Sequence, residues 1–233
     1  MTYGIIELAS QTATFRNPEF QNFHKTLMLP PPTTIMGMVG AALGLSPKAT
    51  QAFFDESNFK MGIYAHSNGK ARDLWKYNDF KSGSIIIREI LFENQFILVL
   101  GNSDDQKIEK IIDAVIHPKY ALTLGSSDSL VWVKNCTMTN EITKDRNVEK
   151  CLLEGDIVSE VFENAELSTE FSIYTTSEPI TMDIPIKFEY KDDYGIRSVV
   201  KRKTLSFISK RMKLNVDKEG ILYNGHFIPL FNL

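Results

Sequence analysis

His117, Lys119 and Tyr120 fall within four residues of one another. Histidine exchanges protons near neutral pH, and lysine can stabilise the charge that builds on a phosphate under attack. The trio therefore suits general acid–base work on a phosphate ester. Pro118 interrupts it, and a histidine at that point equally suits the negative end of a preceding helix. His24-Lys25 is a second such pair, whereas His66 and His226 have no partner nearby in sequence.

A second kind of chemistry needs no proton transfer. The segment LPPPTTIMGMVGAALG, Leu29 to Gly44, runs three prolines into two threonines and a glycine-spotted apolar stretch. Pro30, Pro31 and Pro32 favour a stiff polyproline lead-in. Thr33 or Thr34 can cap the helix that follows, whose first-turn N–H groups then form an anion site. Gly37, Gly40, Ala41 and Gly44 lie close to one helical face. Each glycine costs a helix interior about 0.5–1 kcal/mol relative to alanine, so close approach of a neighbouring backbone or a ligand is the expected reason. Ile35, Met38, Val39 and Leu43 are left to fill a core.

The elements that hold these residues follow from periodicity. Tyr3–Thr14 reads as a strand, 16–28 as a loop, Thr33–Leu45 as a helix, and Pro47–Asp55 as a short helix capped by Ser46. Phe59–His66 reads as a strand and Ser67–Ser84 as a polar excursion. Ile85–Phe92 and Gln95–Leu100 read as two strands with a turn at Glu93-Asn94. In SDDQKIEKIIDAVIHP, Ser103 and Gln106 suggest a capping box, and Ile108, Ile111, Ile112, Val115 and Ile116 form one apolar stripe. Ser129–Val133 is a further strand. Beyond Val148 there is no helical periodicity. Lys187–Tyr190, Ser198–Lys203 and Ile221–Phe231 are the best strands there.

The strand–helix–strand–strand–helix–strand order up to residue 135 is that of a ferredoxin-like βαββαβ fold. The expectation is an α+β protein with residues 1–148 as this unit and 149–233 as a β-rich C-terminal region. Both helices should pack on one face of the sheet and leave the other open, as in RNA-recognition modules.

The net charge is −3 across 233 residues, which does not by itself point to a polyanion partner. The average hides an asymmetry. Residues 149–193 hold twelve acids against Lys150, Lys187 and Lys191. Residues 197–213 hold Arg197, Lys201, Arg202, Lys203, Lys210, Arg211 and Lys213 and no acid. A solvated strand face and a polyanion contact both fit this run. Cys136 and Cys151 stand alone, which points to a reduced, cytoplasmic protein. No transmembrane run, signal peptide, metal-ligand spacing, Walker sequence or nucleophile elbow is present, so no membrane partner, metal or other cofactor is expected.

Leu29–Gly44 resembles the N-terminal signature of the CRISPR-associated family-five proteins of the RAMP superfamily. HPKYALTLGSSDSLVWV, residues 117–133, is similar to the loop that precedes the last strand of their ferredoxin-like domain. Family members commonly carry arginine where Ser126 or Ser127 stands, which removes one phosphate contact here. The resemblance implies a non-catalytic, RNA-binding subunit of a type I Cascade complex. Such a subunit holds the 5′ handle of the CRISPR RNA, caps the backbone filament, and contacts the Cascade backbone subunit and large subunit. Contact with target DNA is left open. It also implies a β-hairpin thumb, placed at 67–84, where Arg72, Trp75, Lys76, Tyr77 and Lys81 mix cations with rings as single-stranded RNA requires. Arg16, His24 and Lys25 flank the proline lead-in as phosphate contacts, beside the hydroxyls of Thr33 and Thr34. Gly125, Ser126 and Ser127 let a sugar–phosphate chain approach, and Lys201, Arg202 and Lys203 are further contacts. Some family members cut precursor RNA without a metal. That makes an endoribonuclease built on His117, Lys119 and Tyr120 the alternative, with a protein-only scaffold as a third possibility.

Overall fold

The computed structural model describes residues 1–20, 23–78, 83–157 and 179–233. Strand β1 (Thr2–Ala13) leads through α1 (Pro32–Leu43) and α2 (Pro47–Asp55) to β2 (Lys60–Asn78), which turns back as β3 (Gly83–Asn102). Helix α3 (Asp105–Ile116) then crosses to β4 (Trp132–Thr139). The four strands lie in the order β4-β1-β3-β2, each antiparallel to its neighbours, as a βαββαβ chain requires.

Side chains alternate across this sheet with period two. Ile6, Leu8, Met61, Ile63, Phe96 and Leu98 face one way and pack against Ile35, Met38 and Val39 of α1 and Ile108, Ile111 and Val115 of α3. Each such side chain contributes about 1.5–3 kcal/mol when fully buried. Ile116, the last member of the expected α3 stripe, stays exposed.

The opposite face is not open, which corrects the sequence expectation. Strands β9 (Met212–Tyr223) and β10 (His226–Asn232) form a hairpin. Their Ile221 and Ile228 bury Tyr3, Ile5, Tyr64, Ile97 and Val99. Strand β10 also extends the sheet by pairing with β2, Leu230 opposite Gly62. Strands β5 (Thr143–Val148), β6 (Cys151–Glu154), β7 (Ile180–Tyr190) and β8 (Arg197–Ile208) complete the β-rich half. Strand β6 meets β2 at Tyr64↔Cys151, so the strands after residue 148 continue the sheet that begins at residue 2.

Strands β2 and β3 keep one register from Lys60↔Gly101 to Asn78↔Gly83. The expected excursion at 67–84 is thus the distal half of a long hairpin. Its tip, 79–82, which includes Lys81, lies outside the described residues, as does 158–178 of the acidic stretch. Glu93 and Asn94 do not end a strand. Glu93 takes φ 51°, and buried Asn94 bonds Ser10, Leu91 and Ser67 with the strand continuing through both.

The helix caps differ in detail from expectation. Neither Thr33 nor Thr34 caps α1. The cap is Pro31, at φ −68° and ψ 154°, with its carbonyl accepting the Thr34 N–H at 2.9 Å. Pro32 starts the helix because its fixed φ is already helical and it has no N–H to satisfy. Asp104, not Ser103, caps α3 by accepting from the Gln106 N–H, while Ser46 caps α2 as expected.

The glycines of α1 have separate reasons. A Cβ at Gly40 would stand 2.0 Å from Thr50 Oγ1, so Gly40 lets α2 close on α1. Gly44 ends the helix in the left-handed region. Among the described residues a Cβ at Gly37 would meet nothing within 4 Å, and the residue is exposed, so no packing contact there explains its lack of a side chain.

Candidate nucleic-acid interface

The open side of Gly37 is part of a groove that crosses the N-terminal half of α1. Three cavities adjoin along it. The first, about 430 Å³, lies among Arg16, His24, Trp75, Arg88, Gly125 and Ser126. The second, about 270 Å³, is lined by Thr33, Thr34, Gly37, Thr123 and Arg197 and shares Gly125 with the first. The third, about 390 Å³, lies between α1, α2 and the β7–β8 hairpin and shares Thr33, Gly37, Ala41 and Arg197 with the second. The helix end contributes partial positive charge where the second cavity opens.

Gly125 is the pivot of this arrangement. Its φ of +95° belongs to the left-handed half of conformational space, and a Cβ there would stand 1.7 Å from the Thr14 carbonyl oxygen. The loop can therefore lie directly on the end of β1 only as glycine. Ser126 next donates to Asp128, and its Oγ lies 3.1 Å from that of Ser129. Asp128 is held below the usual carboxylate range, first by the Ser126 hydroxyl and then by Arg88, against the opposing effect of burial.

Arg88 ties the loop to the long hairpin. Its guanidinium lies 2.9 Å from both Asp128 and Asp73 and 5.5 Å from the centre of the Trp75 ring. Arg88 is 7% exposed. Burial works against its charge, but the bonds it donates to Asp128 and Asp73 outweigh that and keep it protonated. Among the described residues its Nε has no hydrogen-bond partner.

His24 stacks obliquely on Trp75 at 5.6 Å and bridges β3 through backbone bonds to Ile87 and Glu89. Burial lowers its basicity, and the charges of Arg16 and Arg88 lower it further. The folded chain therefore prefers neutral His24, while the unfolded chain takes up a proton near pH 6.5. Stability is full above that pH and declines as pH falls through it. Thermal denaturation from about pH 7.5 to about 5.5 should show a loss in the wild type that shrinks in His24→Gln. Equal pH slopes in the two proteins would contradict this account.

The groove gathers Arg16, His24, Thr33, Thr34, Trp75, Gly125 and Ser126 from the sequence candidates. Ser127 is exposed on the same loop. Others lie elsewhere. Lys25 sits 5.1 Å over Phe20, and Arg72 sits 5.7 Å over Phe23. Lys76 is exposed on the hairpin, with the described residues showing Leu74, Ile85 and Ile87 exposed nearby. The basic run of β8 is largely occupied within the chain. Lys203 pairs with Glu154 at 2.9 Å and donates to the Asn232 carbonyl, and Arg202 donates to the Asp183 carbonyl at 3.0 Å. Lys201 lines a separate small cavity beside Asp55 and Lys187. Of the possible acid–base trio, Tyr120 lines the third cavity, His117 ends α3, and the Lys119 N–H bonds the Ala42 carbonyl at 3.0 Å.

Sequence reasoning passed over one arginine and could not place another. Arg88 interrupts the apolar run IIIREILF, and a charge inside a buried strand is itself a signal. Arg197 stood in the basic run, but only the fold brings it to α1. Among the described residues no cluster of three metal-binding side chains occurs, and no helix is long and apolar enough to cross a membrane.

The family model for CRISPR-associated protein (Cas_Cas5) matches residues 5–215. The chain belongs to this family. That agrees with the resemblance carried by residues 29–44 and 117–133. The chain is similar to one in a solved "CRISPR RNA-guided surveillance complex", with 12% identity and a TM-score of 0.53 over 92% of this chain and 91% of that one. At that identity the likeness is one of fold. A CRISPR protein from Archaeoglobus fulgidus matches over 98% of this chain and 99% of its own, with 14% identity and a TM-score of 0.47. A further solved Cas protein is 19% identical with a TM-score of 0.37, and the match spans 54% of this family member and 57% of that chain. No curated protein sequence matches the chain.

Proposed function

We propose that this family member is a non-catalytic RNA-binding subunit of a type I CRISPR surveillance complex. In this role it holds the 5′ handle of the CRISPR RNA in the groove and caps the backbone filament. The observation that carries the proposal is the groove itself. The open helix end with Gly37, the backbone-hugging Gly125 loop and the cations Arg16 and Arg197 form one continuous track. A sugar–phosphate chain needs this combination of bare backbone, hydroxyls and positive charge. The surveillance complex that contains a chain of similar fold supports the same role.

The test is binding of labelled CRISPR repeat RNA in EDTA at several salt concentrations. Affinity should fall with salt, with a slope of about 0.7 per phosphate neutralised. Arg16→Glu and Arg197→Glu should each weaken binding by about tenfold and flatten that slope. Cleavage of the RNA, abolished by His117→Ala, would replace this proposal with an endoribonuclease. Absence of binding even with the backbone subunit present would leave a protein scaffold.

A further inference from the structure

The third cavity differs in chemistry from the rest of the groove. Its outer wall is the β7–β8 hairpin, where Tyr190 pairs with Arg197 in register and Lys191 N–H bonds the Ile196 carbonyl to close the turn. Phe188 and Tyr190 meet edge to face at 6.3 Å, and Arg197 lies 4.5 Å over the Phe188 ring. Tyr194 and Tyr120 complete the aromatic rim and are 79% and 61% exposed. The inner wall is α1 and α2, joined to the hairpin through Gln51, whose side-chain oxygen accepts the Phe188 N–H at 3.2 Å.

Four rings and one guanidinium line this cavity, and among the described residues no carboxylate lines it. Such a lining favours a flat, π-bearing ligand that carries negative charge. At about 390 Å³ it is in the size range of small-ligand pockets. It opens through Thr33, Gly37 and Arg197 into the second cavity, where the phosphate chain is placed above. Arg197 stands at that junction and can meet a phosphate there.

We infer that this cavity takes a single unstacked nucleobase of the bound RNA, swung out of the strand beyond the α1 helix end, with Arg197 on its phosphate. The base lies among Phe188, Tyr190 and Tyr194, so Tyr190 and Arg197 help set the register in which the RNA is held. This inference rests on the RNA-binding role proposed above.

An abasic scan tests it. Labelled repeat RNAs, each lacking one base, are titrated against the wild type, Tyr190→Ala and Tyr190→Phe. In the wild type one position should stand out, its abasic RNA binding about tenfold more weakly than intact RNA, the size of one base–ring stack. Tyr190→Ala should bind intact RNA about tenfold more weakly and show no further loss with that one abasic RNA. Tyr190→Phe keeps the ring and should retain wild-type affinity, which separates loss of the stack from loss of folding. If the wild type binds intact RNA but no abasic position is coupled to Tyr190, the base pocket is wrong and the RNA-binding role stands. If the wild type binds no repeat RNA, both fall.

Discussion

Replacing Gly37 with glutamate should raise the stability of the protein while weakening its hold on RNA by about a hundredfold. The two effects have separate causes. Gly37 sits inside α1 on its exposed side, and an added Cβ meets nothing within 4 Å. A glycine in that setting costs about 0.5–1 kcal/mol against a good helix former, so Gly37→Ala and Gly37→Glu should both raise the urea midpoint. The same position lines the second and third cavities beside Arg197 and Thr33. A carboxylate there would oppose the phosphates of the proposed RNA path, and like charges brought together cost several kcal/mol, each ~1.4 kcal/mol being tenfold in affinity. Fluorescence anisotropy with labelled repeat RNA reads one effect and chemical denaturation the other. A Gly37→Glu protein that binds RNA like the wild type would remove the groove from the proposal.

Gly125→Ala should do the reverse to stability. Alanine in the left-handed region costs about 1–2 kcal/mol before any contact is counted. Its Cβ would also overlap the Thr14 carbonyl at 1.7 Å, and that partner is backbone that cannot rotate aside. The loop must lift from β1, which pulls Asp128 away from Arg88. The total loss should be about 3 kcal/mol or more, within the range of the most damaging single substitutions. For a chain of this size that lowers the melting temperature by about 6–12 °C. RNA affinity should fall as well, because the loop joins the first two cavities. A Gly125→Ala protein as stable as the wild type would mean that the loop does not rest on β1 as described.

What the sequence disclosed was local. The α3 stripe of Ile108, Ile111 and Val115, the Ser46 cap and the proline lead-in are each set by a few neighbouring residues, and each formed. The motif at 29–44 also led to the right family. What stayed hidden depends on contacts between distant residues. That Ile221 and Ile228 cover the second sheet face cannot be read from 212–232, since a strand's alternation does not say which sheet it covers. The turn expected at Glu93-Asn94 gave way because Asn94 satisfies its amide within the sheet, on Ser10 and Leu91, and so has no need of a turn. The cations of β8 looked available for RNA, yet Lys203 and Arg202 are bound to groups from β6, β7 and the C-terminal strand. Of the arginines that line the groove, Arg16 and Arg197 stood out in the sequence, but Arg88 came from an apolar strand, where composition alone gave it no prominence.

Where β1 and the adjoining halves of β2 and β3 are covered on both faces, the molecule divides its labour in space. Inward-facing strand residues answer only to packing, while the rim around α1, the 125–129 loop and the β7–β8 turn, where the proposed RNA path runs, stands outside that core. Apart from Gly125, which rests on β1, side chains at that rim can change with little effect on the core beneath. On the proposed role, lineages can then follow drifting repeat sequences by exchanging a handful of side chains and inherit the frame unaltered.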